Sequence, residues 1–418
     1  LEAFLSHRRL VLGVTALVFA ASIALLGACR QDFFPPSLRP EIIVEMHLAE
    51  GSSMKNTDGE AKRFAAFLDG LADEYRNYSV YVGEGAPRFV LTFEPVLAAD
   101  NYAQFVIVAN DKESREDLTA KIRTELSENF PNVRANLKFI QTGPPAAYPI
   151  MLRVEGEDKE KVMSLANEVA DLVASDANTR DVNLDWQEKS KVLHLALDQD
   201  KLKALGLSTQ MVQQMLYTEL AGVKAAELYE GDRTVDIVLR LREEARDDLS
   251  HLEELPIYLP RAGYVPLAQV AKISYDAENG IIWRHDLKPA VTVRAGIIAG
   301  TPTDAAKKAY AATKELRENL PAGYAIEPDG SLADSEDSMK YLLVPVPAMI
   351  FLIMTLLIFQ VREGRAMLIT LLTAPLGIIG VACGMFLTGE PIGFVADLGI
   401  LALSGMIIRN SVILIDQI

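Results

Sequence analysis

Near its C-terminal end the chain reads GMIIRNSVILIDQI over residues 405–418. Without Arg409, Asn410 and Asp416 this stretch would be ordinary membrane-spanning sequence. An arginine at mid-membrane costs about 2.5–3.5 kcal/mol even on the lenient insertion scale. Arg409 lies eight residues before Gln417 and twelve beyond Asp397, too deep on either side for its side chain to reach water comfortably. On a helix, Arg409 and Asp416 are seven residues apart, hence on one face and roughly 10 Å apart along the axis. Asp416 stands near the helix end, where a carboxylate can reach water, and Asp397 near the other end, so both suit interfacial placement. A buried charge of this kind normally faces a bundle interior and pairs with its opposite. The other apolar runs contain no carboxylate, so the partner of Arg409 is expected from a part of the protein outside this chain.

These residues need a membrane bundle to position them, and four apolar runs supply one. Leu10–Cys29 is 20 residues without a charge, Tyr341–Val361 is 21, and Ala366–Gly389 is 24. The fourth run, Pro391–Ile415, carries only Asp397 and Arg409. Each matches the length that a bilayer requires, about 20 residues. The first run has a rival reading: Arg8-Arg9, an apolar core and Leu26-Gly27-Ala28-Cys29 resemble a lipoprotein signal. Its length and the three later runs favour a span. Arg8, Arg9, Arg362 and Arg365 fall on one side of an alternating path and mark it as cytoplasmic, making residues 1–9 a cytoplasmic segment. The turn at 388–393 has no Lys or Arg and falls outside. In spans two and three, Pro345, Pro347 and Pro375 are tolerable where neighbours satisfy the freed carbonyls. Gly377, Gly380, Ala382 and Gly384 suit close helix approach.

Between the first and second runs lies an acidic body. The chain has 418 residues and a formal charge of −16. Residues 30–340 hold 36 Lys and Arg against 52 Asp and Glu, while the two ends cancel. This balance argues against nucleic-acid binding, which wants a basic patch. Cys29 and Cys383 form no disulfide framework and no zinc spacing. The five histidines (7, 47, 194, 251 and 285) are scattered and read as surface or packing residues. No cofactor or metal site is expected. No GxxxxGK[ST], GxSxG or HExxH motif occurs, so this segment hydrolyses no ATP and an ion gradient is the natural energy source. The sequence starts at Leu1 and stops within an apolar run, which reads as part of a longer protein.

The fold class expected is a membrane α-helical bundle plus an α+β external domain. Residues 41–140 carry strands near 41–50, 78–82, 89–93, 103–109 and 134–140, with helices over 56–75 and 114–130. The order is that of a ferredoxin-like βαββαβ sandwich. A second sandwich takes strands at 149–156, 181–186, 290–297 and 324–327 and helices at 158–176 and 303–319. Residues about 190–275 form a mixed α/β domain inserted into it. The repetition suggests duplication.

At its fourth run the chain resembles resistance-nodulation-division (RND) pumps. FVADLGILALSGMIIRNSVILIDQI is similar to their tenth transmembrane helix. QDFFPP, MHLAEGSS, DQDKLKALGLS, LPIYLPRAGYVPLAQVAKI and TAPLGIIG extend the resemblance over essentially the whole chain. It implies the seventh to tenth helices (10–29, 341–361, 366–389 and 391–417) plus the second periplasmic loop. The loop would comprise a first porter subdomain at 30–140, a split second porter subdomain at 141–189 and 276–330, and a docking subdomain at 190–275. The resemblance also implies a homotrimer in the inner membrane of a Gram-negative cell, driven by protons and working with a periplasmic adaptor and an outer-membrane channel. Arg409 occupies the position of the family's relay lysine, with Asn410 matching the asparagine beside it. Lysine can lose its proton when desolvated, whereas arginine effectively cannot, so Arg409 would act as a fixed counter-charge. In the multidrug branch aromatics line a pocket beside a switch loop. Tyr81, Phe89 and Phe93 flank GEGAPR (83–88) in a similar placement and are the candidate substrate-binding residues. Met46 and Met54 do not make the three-methionine site of the heavy-metal branch. The reading is therefore export of hydrophobic or amphiphilic compounds, in contact with membrane lipid. The alternatives are a membrane-anchored binding or assembly lipoprotein, or a heavy-metal or secretion-accessory member of the superfamily.

Overall fold

The computed structural model describes residues 7–417 except 33, 243, 244, 246–248 and 262, and the side chains at 249, 250 and 416 also lie outside the description. The predicted cytoplasmic segment falls mostly outside these limits, as does the side chain of Asp416. Two compact units emerge, Lys189–Gly280 and the remainder.

The first sandwich is built on β1 (Glu41–His47), β2 (Tyr75–Val82), β3 (Tyr102–Ala109) and β4 (Arg134–Phe139). These form one antiparallel sheet in the order β2-β3-β1-β4. Ile42, Val44 and Met46 alternate onto one face of β1 and pack against Phe64, Leu118 and Ile122 from the helices Met54–Asp69 and Lys112–Asn129. Both helices start where a side chain caps free amides: Ser53 Oγ accepts from Asn56 N and Asp111 Oδ1 accepts from Ser114 N. The strand expected at 89–93 is absent. Pro87 has no N–H to give a ladder, and the segment is held irregular by Arg88 Nε donating to Phe93 O and Ala86 N donating to Gln104 Oε1.

The second sandwich uses β5 (Ile150–Glu155), β6 (Thr179–Leu184) and, beyond the insertion, the two-residue β13 (Arg284–His285), β14 (Lys288–Ile297) and β15 (Ala325–Pro328). Its central strands β14 and β5 pair antiparallel, with β6 on the far edge of β14 and β15 on that of β5. Val162, Leu165 and Val169 of the helix Lys159–Ala174 cover Leu152, Val154, Val291 and Val293. Fully buried Trp186 anchors the corner through Nε1 donating to Ala290 O at 2.7 Å. The helix expected over 303–319 is divided into Pro302–Ala312 and Lys314–Glu318 at Thr313.

The unit Lys189–Gly280 pairs β7 (Lys189–Leu197) with β12 (Ala271–Asn279). Between them come the hairpin of β8 (Val223–Glu230) and β9 (Arg233–Leu239) and the short pair β10 (Pro256–Tyr258) and β11 (Tyr264–Pro266). Its core gathers Leu202, Val212, Ile257 and Leu267.

Among the described residues, four helices are long and apolar enough to cross a membrane: Arg8–Ala28, Gly330–Val361, Gly364–Thr388 and Phe394–Ile415. The second begins earlier than the expected Tyr341, at Gly330, and breaks briefly where Pro345 ends the turn after Leu343. The third is interrupted by a 3-10 turn, Ala374–Gly377, around Pro375, which removes one backbone donor. Within this bundle the first span packs on Ile378–Thr388, the fourth on Gly364–Thr373 and the 3-10 turn, and the second touches both the third and the fourth.

Candidate functional site

The fourth span shows two opposed faces. Thr373 and Ser411 hydroxyls meet at 2.8 Å. A methyl placed on Gly377 would come within 2.7 Å of Ile407 Cδ1 and 3.1 Å of Leu403 Cδ2. Leu403, Ile407 and Ser411 therefore form the face that packs on the third span. Arg409 is two residues from both Ile407 and Ser411, roughly opposite them around the helix, so it points away from the third span. Its side chain is exposed, and Asn410 is exposed beside it. Among the described residues no carboxylate lies within ion-pair distance of Arg409. An uncovered face carrying a charge at this depth is suited to meeting another helix.

The aromatic trio sits in the first sandwich. Phe93 is buried with Ile43 and Ala86, Tyr81 packs partly against them, and Phe89 lies on Phe93 with ring centroids 4.8 Å apart. Phe89 itself is 44% exposed. The cavity beside Phe93 is about 20 Å³, far below the usual range for a ligand pocket, about 300–1,000 Å³. Met46 is in the core below the sheet, while Met54 lies at a helix start with its Cε under Gly83. The two do not share a site.

A second group lies on the other face of the same sheet. Ile43, Glu45 and His47 alternate with the core residues of β1 and turn away from the helices. Glu45 is 5% exposed. Its partners sit directly across the strands: Gln104 on β3 and Asn136 on β4 are its register neighbours. Lys138 Nζ lies 2.6 Å from Glu45 Oε1, Asn136 Nδ2 donates to Oε2 at 3.0 Å, and Gln104 Nε2 donates at 3.4 Å. Burial drives the Glu45 carboxyl upward, but Lys138, with the Asn136 amide adding to it, holds it below the usual carboxylate range. Burial pushes His47 down to about 4, with Arg134, Arg294 and Lys138 adding to the shift against Glu45. Burial and then the Glu45 charge push the Tyr102 phenol up.

The second sandwich closes this layer. Arg294 on β14 lies over the Tyr148 ring at 5.1 Å and donates to Asn183 Oδ1 and Leu184 O. Asp185, raised chiefly by burial, accepts from Thr292 N at 2.9 Å. Arg134 bridges to Glu188 at 3.0 Å and donates to Gln187 Oε1. Two spaces flank the layer: a groove of about 910 Å³ beside His47, Lys55, Arg63 and Glu188, and a cavity of about 170 Å³ beside Arg123, Asn136, Tyr148 and Arg180. Desolvation and Arg180 together lower Arg123. Sequence reasoning missed this group. Its signal is the pattern EIIVEMH, in which Glu41, Glu45 and His47 fall on one face of a strand whose opposite face is apolar. Among the described residues no group of three or more His, Cys, Asp or Glu is placed to hold a metal ion.

Comparison with known proteins accounts for the whole chain. Residues 1–418 match the AcrB/AcrD/AcrF family. Relatives include the cobalt-zinc-cadmium resistance protein CzcA of Cupriavidus metallidurans, 21% identical over 100% of this chain and 40% of its own length. The nickel and cobalt resistance protein CnrA of the same organism is 26% identical over 81% of this chain and 33% of its own length. The swarming motility protein SwrC of Bacillus subtilis is 22% identical over 99% of this chain and 38% of its own length. A crystal structure of a heavy metal efflux pump superposes with a TM-score of 0.77 at 17% identity, covering 97% of this chain and 42% of that one. The chain thus spans about a third to two fifths of the length of the relatives it matches. None of these names supports the expected amphiphile-exporting branch; the metal-resistance names point elsewhere. The chain belongs to the AcrB/AcrD/AcrF family of RND efflux transporters.

Proposed function

We propose that this chain is part of a proton-driven efflux subunit that exports metal cations. The observation that carries the energy-coupling half is Arg409, exposed on the face of the fourth span opposite the one that packs on the third. Arginine holds its charge at any accessible pH, so it serves as a fixed counter-charge to carboxylates on a helix elsewhere in the protein. Protonating those carboxylates weakens the pairing and frees the helices to move. Asn410 supports the same face. The substrate half rests on the relatives named for metal resistance. The packed aromatic trio leaves only about 20 Å³ beside Phe93, too little space for a drug-sized molecule. Assembly as a homotrimer with a periplasmic adaptor and an outer-membrane channel belongs to the same proposal.

The test uses the full-length protein in a metal-sensitive, efflux-deficient host. Arg409→Ala is expected to abolish resistance to cobalt, zinc, cadmium or nickel while trimers still form, and Arg409→Lys to retain part of it. Unchanged resistance in Arg409→Ala sinks the relay role. Protection against amphiphilic dyes with none against metals sinks the metal assignment and leaves the relay standing.

A further inference from the structure

At the end of the spans nearest the external body, a cavity of about 630 Å³ opens between membrane and porter elements. Its apolar floor comes from Leu26 in the last turn of the first span, Met339 on the helix leading into the second, and Ile400 on the fourth. Its upper wall is the start of the helix Pro302–Ala312. The two span ends are stitched together beneath it, with Asp32 N donating to Ile392 O at 3.0 Å and Ile392 N donating to Arg30 O at 2.8 Å. The cavity is therefore part of the fold rather than a gap between loose ends.

Charges of both signs line it. Asp304, Glu336 and Asp397 face Lys307 and Lys340 around one space. Among the described residues, Glu336, Asp397, Lys307 and Lys340 make no ion pair within 4 Å, although Glu336 and Lys340 are one helical turn apart. Opposite charges held around a cavity without pairing leave both signs free for a third party. Thr303 adds a second observation: it lines the cavity, is 9% exposed, and its Oγ1 has no hydrogen-bond partner. A buried hydroxyl without a partner normally calls for a ligand or water.

An apolar floor continuous with membrane helices, topped by unpaired carboxylates and ammoniums, matches one kind of molecule. We propose that this cavity binds a zwitterionic phospholipid with a primary amine headgroup, a phosphatidylethanolamine. Its acyl chain lies along Leu26, Met339 and Ile400. Its phosphate sits against Lys307 and Lys340, with Thr303 Oγ1 as a further donor. Its ammonium donates to Asp304, Glu336 and Asp397. A quaternary choline lacks those N–H donors, and a glycerol headgroup lacks the positive charge.

Native mass spectrometry of the full-length protein, delipidated and then loaded with defined lipid, tests this. Phosphatidylethanolamine adducts should survive activation that strips phosphatidylcholine and phosphatidylglycerol. Lys307→Gln with Lys340→Gln should lower retention roughly tenfold, since each lysine near a membrane surface contributes a several-fold attraction. Met339→Trp, which fills the floor and leaves every charge in place, should lower it as well. Equal retention of the three lipids overturns the assignment, and so does undiminished retention in either variant with trimer and melting intact. Displacement of the adduct by inorganic phosphate alone would assign the lysines to the free ion and also overturn it.

Discussion

At the scale of single residues, the buried carboxylate Glu45 and the intramembrane Arg409 pose the same problem with different solutions. Glu45 has its counter-ion in the chain, Lys138, at 2.6 Å. Removing one member of such a pair strands the other, at about 3–5 kcal/mol. Lys138→Met should therefore destabilise the first sandwich by about 3 kcal/mol, and Glu45→Gln with Lys138→Met should recover much of the loss. Hydrogen exchange of the β1 amides in the full-length protein reads both; a double variant no better than the single would show that the pair is not the unit. His47 adds a pH dependence. Its pKa is near 4 in the fold against 6.5 for the free side chain, so the unfolded chain takes up the proton first. Its contribution is complete above about 6.5 and is lost as pH falls toward 4, by up to about 3 kcal/mol at full burial and less with partial solvent contact. Melting of wild type and His47→Gln between pH 7 and 4.5 checks the sign: the difference between them should shrink as the medium becomes acidic.

At the scale of elements, the third and fourth spans meet through a glycine in a proline-made turn. Pro375 turns the helix into 3-10 geometry, and Gly377 then presents bare backbone to Leu403 and Ile407. Gly377→Leu must push those tips aside, at about 1–3 kcal/mol, and should rotate the fourth span enough to misplace Arg409. A lowered melting temperature together with lost export is expected; full export would show that the contact tolerates the shift. Gly380 and Gly384 have nothing within 4 Å of an added methyl. The small-residue pattern had grouped Gly377, Gly380, Ala382 and Gly384 as close-approach positions; Gly377 makes that contact and Ala382 is fully buried, whereas Gly380 and Gly384 are not approached by the described residues.

At the scale of the whole molecule, two sandwiches with the same strand order are held against each other by charge rather than by a continuous apolar core. Tyr148, Arg294, Asp185 and the Glu45 cluster meet where a core would otherwise fuse the two. A polar interface stabilises less per area and separates at lower cost. Replacing Arg294 with Met should stiffen or misalign this seam. The expected readout is slower metal export with the trimer intact, and an unaltered rate would show that the seam does not move.

Much of this was legible in order along the chain. Run lengths located four spans, because a bilayer imposes a length on any helix that crosses it. Alternation and capping residues located most strands and helices, because period and local hydrogen bonds are written in adjacent residues. Arg409 announced itself because charge and apolar surroundings stand side by side in sequence. The irregular path of residues 89–93, the packed state of Phe93 and the ring of partners around Glu45 were not legible. They depend on residues far apart in the chain, Gln104, Asn136 and Lys138 among them, that only the sheet register brings across from one another. Which face of the fourth span is left bare was decided the same way, by Gly377, Thr373 and Ser411 closing the opposite side.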